Sequence, residues 1–154
     1  MHMGGAVSLR HANEADAGAI QSLTREAYAK WVAVAGREPL PMRIDYEDAI
    51  QRHRFDLLHL GGSLAALIET TPEGDWLLIE NVAVRPALQG RGFGVRLLKL
   101  AEDLAESAGL LGTRLYTNKL FVQNIGLYAA LGYVLEKEEA LNGGVAVHMV
   151  KRRR

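Results

Sequence analysis

The sequence predicts a mixed α/β fold, with one sheet carrying helices on both faces in the order β-α-α-β-β-β-α-β-α-β-β. Three observations predict it. Residues 76–108 read as a buried strand, a glycine-rich turn and an amphipathic helix. Residues 55–69 read as two apolar runs around Gly61-Gly62, the pattern of a β-hairpin. The 154 residues hold no repeat, low-complexity stretch or linker, so all elements belong to one domain.

Taken in order, Val7–Arg10 is a short apolar strand. Asn13, followed by Glu14 and Asp16, supplies an N-cap and negative charge for a helix start. Ile20, Leu23, Ala27, Trp31 and Val34 then recur at helical spacing, and Gly36 closes the helix. Residues 37–44 hold two prolines and are irregular. Asp45 caps a short second helix, Tyr46–His53. Phe55–Leu60 and Ser63–Glu69 form the hairpin, and Thr71 to Asp75 is the next turn. The apolar run Leu77, Leu78, Ile79, Val82, Ala83, Val84 ends at Pro86. Phe93, Leu97, Leu100, Leu104 and Ala108 trace one helical face, with Gly109 as C-cap. Arg114–Thr117 is a strand, Phe121–Ala130 a helix ended by Gly132, and Tyr133–Glu136 and Val145–Val150 are strands around an Asn142-Gly143-Gly144 turn. The domain spans residues 6–150. Residues 1–5 read as an expression remnant or a disordered N-terminus, and residues 151–154 as a solvated basic tail.

Composition narrows the class. Eighteen basic and 18 acidic side chains cancel, so nothing global points to nucleic acid or a membrane surface. No apolar run reaches the length of a membrane span, and no signal-peptide pattern opens the chain, so a cytoplasmic location is expected. The absence of cysteine excludes disulfides, a thiol nucleophile and cysteine-bound zinc. The five histidines show no ligand spacing, so no metal is expected.

The turn after the buried strand carries the chemistry. Gly90, Gly92 and Gly94 permit positive φ and close ligand approach. The helix start behind them offers free N–H groups and partial positive charge, a site for phosphate. Arg85, Arg91, Arg96 and Lys99 flank it with no acid between them. Two common phosphate loops fail: no Gly-Lys-Ser/Thr follows Gly94, and the third glycine falls one place early for a dinucleotide fingerprint, with Arg114 rather than an acid on the next strand.

Residues 82–94, V-A-V-x-P-x-x-Q-G-R-G-F-G, resemble motif A of the GNAT family of N-acetyltransferases. In that family Q/R-x-x-G-x-G/A cradles the coenzyme A pyrophosphate, and Gln89, Gly92 and Gly94 match its three defining positions. The resemblance implies the acyl-CoA N-acyltransferase fold, acetyl-CoA as co-substrate, and cofactor contacts from Val82, Ala83, Val84, Gln89, Gly90, Arg91, Gly92, Phe93, Gly94 and Val95. It covers most of the chain and is strongest over residues 76–133. The segment L-Y-x-x-L-G-Y, Leu127 to Tyr133, resembles a second family pattern whose first tyrosine is often the general acid. Tyr128 matches it, with Asn124 one helical turn earlier as a further cofactor contact. Two positions depart: Phe121 stands where many relatives place an asparagine that contacts coenzyme A, and Tyr116 where some place an acidic base. Asn118 and Asn124 are candidates to replace the lost polar contact.

Glu80 interrupts an apolar strand, where a carboxylate is costly unless hydrogen-bonded or functional. It is the candidate base, with Asn81 at a bulge beside it; the competing reading is a solvent-facing glutamate. The acceptor is expected between the first two helices and the splayed strands, against Tyr28, Trp31, Arg37, Met42, Tyr46 and Asn81, with Glu38, Asp45, Glu47 and Asp48 nearby. The expected function is transfer of an acetyl or other acyl group to an amine on a small molecule or peptide by direct attack, since no G-x-S-x-G turn or other convincing covalent nucleophile is present. A monomer or homodimer is expected. The alternatives are a non-catalytic acyl-CoA sensor, which needs neither Tyr128 nor Glu80, and an unrelated nucleotide-binding protein using the same turn.

Overall fold

The protein is described from a computed structural model over residues 6–141 and 143–154. Within these residues seven strands form one sheet: β1 (Val7–His11), β2 (Arg54–Leu60), β3 (Ser63–Glu73), β4 (Trp76–Val84), β5 (Gly112–Asn118), β6 (Val134–Leu141) and β7 (Gly144–Arg152). Their spatial order is β1-β2-β3-β4-β5-β7-β6. Among the described residues, four α-helices accompany them: α1 (Ala17–Ala35), α2 (Tyr46–Arg52), α3 (Phe93–Ser107) and α4 (Val122–Ala130). Every predicted element is present in the predicted order.

The sheet divides two cores by strand periodicity. On β2 and β3, Leu57 and Leu67 pack with Ile20, Leu23 and Ala27 of α1, while Leu58, Ala66 and Ile68 pack with Leu97, Leu98 and Ala101 of α3. Alternation along each strand sends successive side chains to opposite faces. α1 begins behind a capping box: Asn13 Oδ1 accepts from Ala15 N at 3.0 Å, and Asp16 accepts from Asn13 N at 2.8 Å. Gly36, at φ 75°, ends it.

Three boundaries move. The predicted turn at Thr71 shrinks to Gly74-Asp75, because β3 continues through Pro72, paired with Leu77. Pro72 lies beyond the last β2–β3 pair, Arg54↔Thr70, so its missing N–H interrupts no ladder there. β6 runs to Leu141 rather than ending at Glu136, and β7 lies on only one of its sides. As an exposed edge strand it has no buried face to imprint alternation, and it carries Glu136, Lys137, Glu138 and Glu139 in succession. β7 extends through Lys151 and Arg152, which pair with Thr113 and Gly112, so half of the expected basic tail is strand. Asn142 of the predicted turn and residues 1–5 lie outside the described residues. Among the described residues, no helix is long and apolar enough to cross a membrane.

Candidate active site

The site begins with two defects in the sheet. On β3 and β4, Glu69 pairs with Asn81 and Thr70 with Ile79, so Glu80 is an extra residue without a partner. The bulge expected at Asn81 therefore centres on Glu80. The second defect lies on the other side of β4. Its parallel pairing with β5 covers only Leu77↔Thr113, Leu78↔Arg114 and Ile79↔Leu115. Beyond Ile79 the strands part, and β5 continues against β7 alone.

A cleft opens over this parting, with a cavity of about 190 Å³ whose lining includes Tyr28, Tyr46, Glu80, Asn81, Tyr116, Asn124 and Tyr128. Helix α4 presents Asn124 and Tyr128 together, one turn apart. Tyr128 is half-buried, its ring edge-on to Tyr133 with centroids 5.8 Å apart. Burial pushes its phenol up to about 12, so it stays protonated. Burial likewise lifts Tyr116 to about 12, helped by the negative charges of Glu80 and Glu69. Glu80 is held above the ordinary glutamate value, first by burial and then by Glu73, against the opposing pull of His53. That shift moves a carboxylate toward the range useful for accepting a proton.

Asn81 is buried and tied into a polar cluster. Tyr28 donates to its Oδ1 at 2.8 Å, and its Nδ2 donates to Thr24 Oγ1 at 3.3 Å and Tyr46 Oη at 3.4 Å. These bonds fix α1 and α2 to the bulge. Trp31 and Met42, expected to line the acceptor pocket, do not. Trp31 stacks on Phe121, centroids 4.4 Å apart, and Met42 is buried. Both are large apolar groups whose burial against neighbouring elements outweighs exposure to a ligand. Of the expected acids, Glu38 pairs with Arg25 at 2.6 Å, Asp45 caps α2 and Asp48 pairs with Arg52 at 2.8 Å. These three are engaged in local structure. Arg37 lies on the cleft lining near Gly143 and Gly144. Asn118, also on the lining, accepts from Leu120 N at 2.9 Å.

The glycine turn has the geometry of an anion cradle. Gly90 and Gly92 have φ 81° and 85°, and nothing stands within 4 Å of a Cβ built at either. Gly92 is the N-cap of α3 and supplies no side chain, so the N–H groups of the first turn, from Phe93 to Val95, stay uncapped. At Gly94 neither φ nor packing demands glycine, since a Cβ would meet Val84 Cγ2 at an ordinary 3.7 Å. These residues fit a pyrophosphate. Arg91 and Val95 are exposed beside the cradle, while Phe93 is buried and anchors the helix start. Gln89 is differently employed: Nε2 donates to Val84 O at 3.0 Å, and Oε1 accepts from Lys30 at 2.9 Å. It braces the turn against β4 and α1. Val82 to Val84 form the end of β4, paired to β3 through Ile68, Leu67 and Ala66, on the stretch where β5 has left.

Among the lining residues that the sequence did not single out are His53 and Glu69, whose Nδ1 and Oε2 lie 2.6 Å apart. Glu69 carried a signal, an acid ending the apolar run Ala65–Ile68, the same anomaly that singled out Glu80. A lone histidine after a short helix carried none.

A bulged strand parted from its neighbour, with an open helix N-terminus at the far end and a tyrosine on the following helix, defines the acyl-CoA-dependent N-acetyltransferase class. The description "Acetyltransferase (GNAT) family" matches residues 19–133, and the chain belongs to that family. It is accordingly an acetyltransferase with acetyl-CoA as co-substrate. Solved structures agree in fold. PaiA N-acetyltransferase from Thermoplasma acidophilum, in complex with coenzyme A, superposes with TM-score 0.81 at 18% identity, covering 96% of this chain and 99% of that one. An acetyltransferase from Thermus thermophilus gives TM-score 0.77 at 20% identity, covering 99% of this chain and 100% of that one. The ribosomal-protein-S18-alanine N-acetyltransferase from Escherichia coli gives 0.73 at 20% identity, covering 96% and 94%. No curated protein sequence matches the chain.

Proposed function

We propose that this acetyltransferase transfers acetyl to a primary amine on a small molecule or peptide by direct attack, with Glu80 taking a proton from the amine and Tyr128 donating one to the departing thiolate. The carrying observation is that Glu80, freed from the β3 ladder by the bulge, and Tyr128, on α4, line one cleft where β4 and β5 part. The Glu80 carboxyl makes no side-chain hydrogen bond or ion pair to another described residue, and the Tyr128 hydroxyl makes none either. Both are available to a ligand. A phenol beside developing negative charge assists the thiolate through position rather than pKa matching. In this reading Gly90, Gly92 and the α3 N-terminus hold the pyrophosphate, Asn124 contacts the cofactor, and Tyr28, Tyr46 and Asn81 shape the acceptor side.

The test is thiol release from acetyl-CoA over a panel of amines, amino sugars and peptides with free N-termini. Turnover with at least one amine, lost in Tyr128→Phe with coenzyme A binding retained, supports the reading. Equal, slow release in both proteins across the whole panel favours a module that binds acyl-CoA without chemistry.

A further inference from the structure

We propose that His53, oriented by Glu69, is a second proton acceptor of the acetyl-transfer site, working beside Glu80. This inference rests on the transferase reading above.

The need follows from proton balance. An ammonium R–NH3⁺ carries three hydrogens on nitrogen, and the product amide R–NH–CO–CH3 keeps one. One proton leaves so that the nitrogen lone pair can attack the thioester carbon. The C–N bond forms, the C–S bond breaks, and the C–S electron pair departs with sulfur. The second proton leaves nitrogen as the amide forms. The thiolate recovers one proton, and one is released. Two protons therefore leave nitrogen in each turnover, and a single half-buried carboxylate holds one at a time.

The geometry supplies the second acceptor. His53 follows α2 and Glu69 lies on β3, opposite Asn81 of the bulged strand. Both line the cleft that holds Glu80. Glu69 is only 5% exposed, yet its carboxyl meets His53 Nδ1 at 2.6 Å. A carboxylate on Nδ1 fixes the tautomer and leaves Nε2 as the basic nitrogen. Among the described residues Nε2 has no hydrogen-bond partner, and it is not a sealed, unsatisfied atom. It is therefore open to the amine or to a water between them. The other ionisable groups around the pair include Tyr28 from α1, Arg52 and Tyr46 from α2, Glu80 from β4 and Tyr116 from β5. Arg52 is drawn off by Asp48 at 2.8 Å. Burial raises the Glu69 carboxyl, and the His53 hydrogen bond pulls it back. A carboxylate is worth burying there only with its imidazole. Histidine contributes what Glu80 lacks, a ring nitrogen that accepts a proton while its other nitrogen stays held by a carboxylate.

The experiment combines kinetics with a readout that needs no turnover. Wild type, His53→Ala and Glu69→Gln are compared for kcat/KM against pH, coenzyme A affinity and melting temperature, with added imidazole tested on His53→Ala. The His53 ring is titrated by NMR in wild type and Glu69→Gln, with and without methylammonium. His53→Ala is expected to lose about 10²-fold, to regain part of that with imidazole, and to change the shape of the pH profile. Glu69→Gln should alter both the pH profile and the NMR titration of the His53 ring. Folded variants with wild-type rates and profiles overturn the proposal, as does a His53 titration indifferent both to Glu69→Gln and to methylammonium. If wild type releases no thiol with any amine, the transferase reading fails, and the NMR arm still decides whether the pair faces an amine.

Discussion

Tyr28 donates its hydroxyl hydrogen to Asn81 Oδ1 at 2.8 Å, joining the middle of α1 to the bulge in β4. The two residues are far apart in sequence and were both read as acceptor contacts. Their bond, with those from Asn81 to Thr24 and Tyr46, sets how the two helices sit over the parted strands. Tyr28→Phe keeps the ring and leaves a buried amide oxygen short of a donor. It is expected to cost about 1–3 kcal/mol of stability. Urea unfolding measures this, and a loss indistinguishable from zero would show that the cluster does not hold the bulge.

Gly92→Val should abolish coenzyme A binding in a folded protein. A β-branched residue at φ 85° is strained by about 1–3 kcal/mol, and its side chain points into the space left open at the α3 N-terminus. Isothermal titration with coenzyme A tests this. Wild-type affinity in a folded variant would remove the cradle from this turn.

Glu80→Gln should slow turnover and remove the more acidic limb of the kcat/KM profile. That limb reports Glu80, held above its ordinary 4.5 by burial, and wild-type activity falls as pH drops through the raised value. The same shift has a stability sign. A carboxylate whose folded pKa is raised contributes fully below its unfolded value and destabilises as pH rises through the folded one. The glutamine variant should therefore melt higher than wild type at neutral pH, with the gain vanishing below about pH 4. A wild-type pH profile in the variant would return Glu80 to an ordinary structural role.

Tyr128→Phe should lower kcat by about 10²–10⁴-fold where proton transfer limits the rate, and less where product release does. Its hydroxyl has no described protein partner, so stability and coenzyme A affinity should change by about 1 kcal/mol or less. Rapid-quench and steady-state kinetics separate the two cases. A variant matching wild type in both would place the acid elsewhere.

The sequence by itself determined the local units. Glycines at 90 and 92 between an apolar run and a helical face could be read because positive φ, strand burial and helix periodicity each leave a short-range mark. Glu80 stood out for the same reason, as a charge inside an apolar run, and Tyr128 by its motif. What only the tertiary structure decided is which side chain meets which. Trp31 faces Phe121 rather than a ligand, Gln89 is held by Val84 and Lys30, and His53 meets Glu69 across sixteen positions. The extent of β6 was likewise hidden, because an edge strand forms through backbone bonds and leaves no alternating burial to read. Such pairings depend on strand register and helix placement, which are set by contacts between distant parts of the chain and are not encoded in any local window.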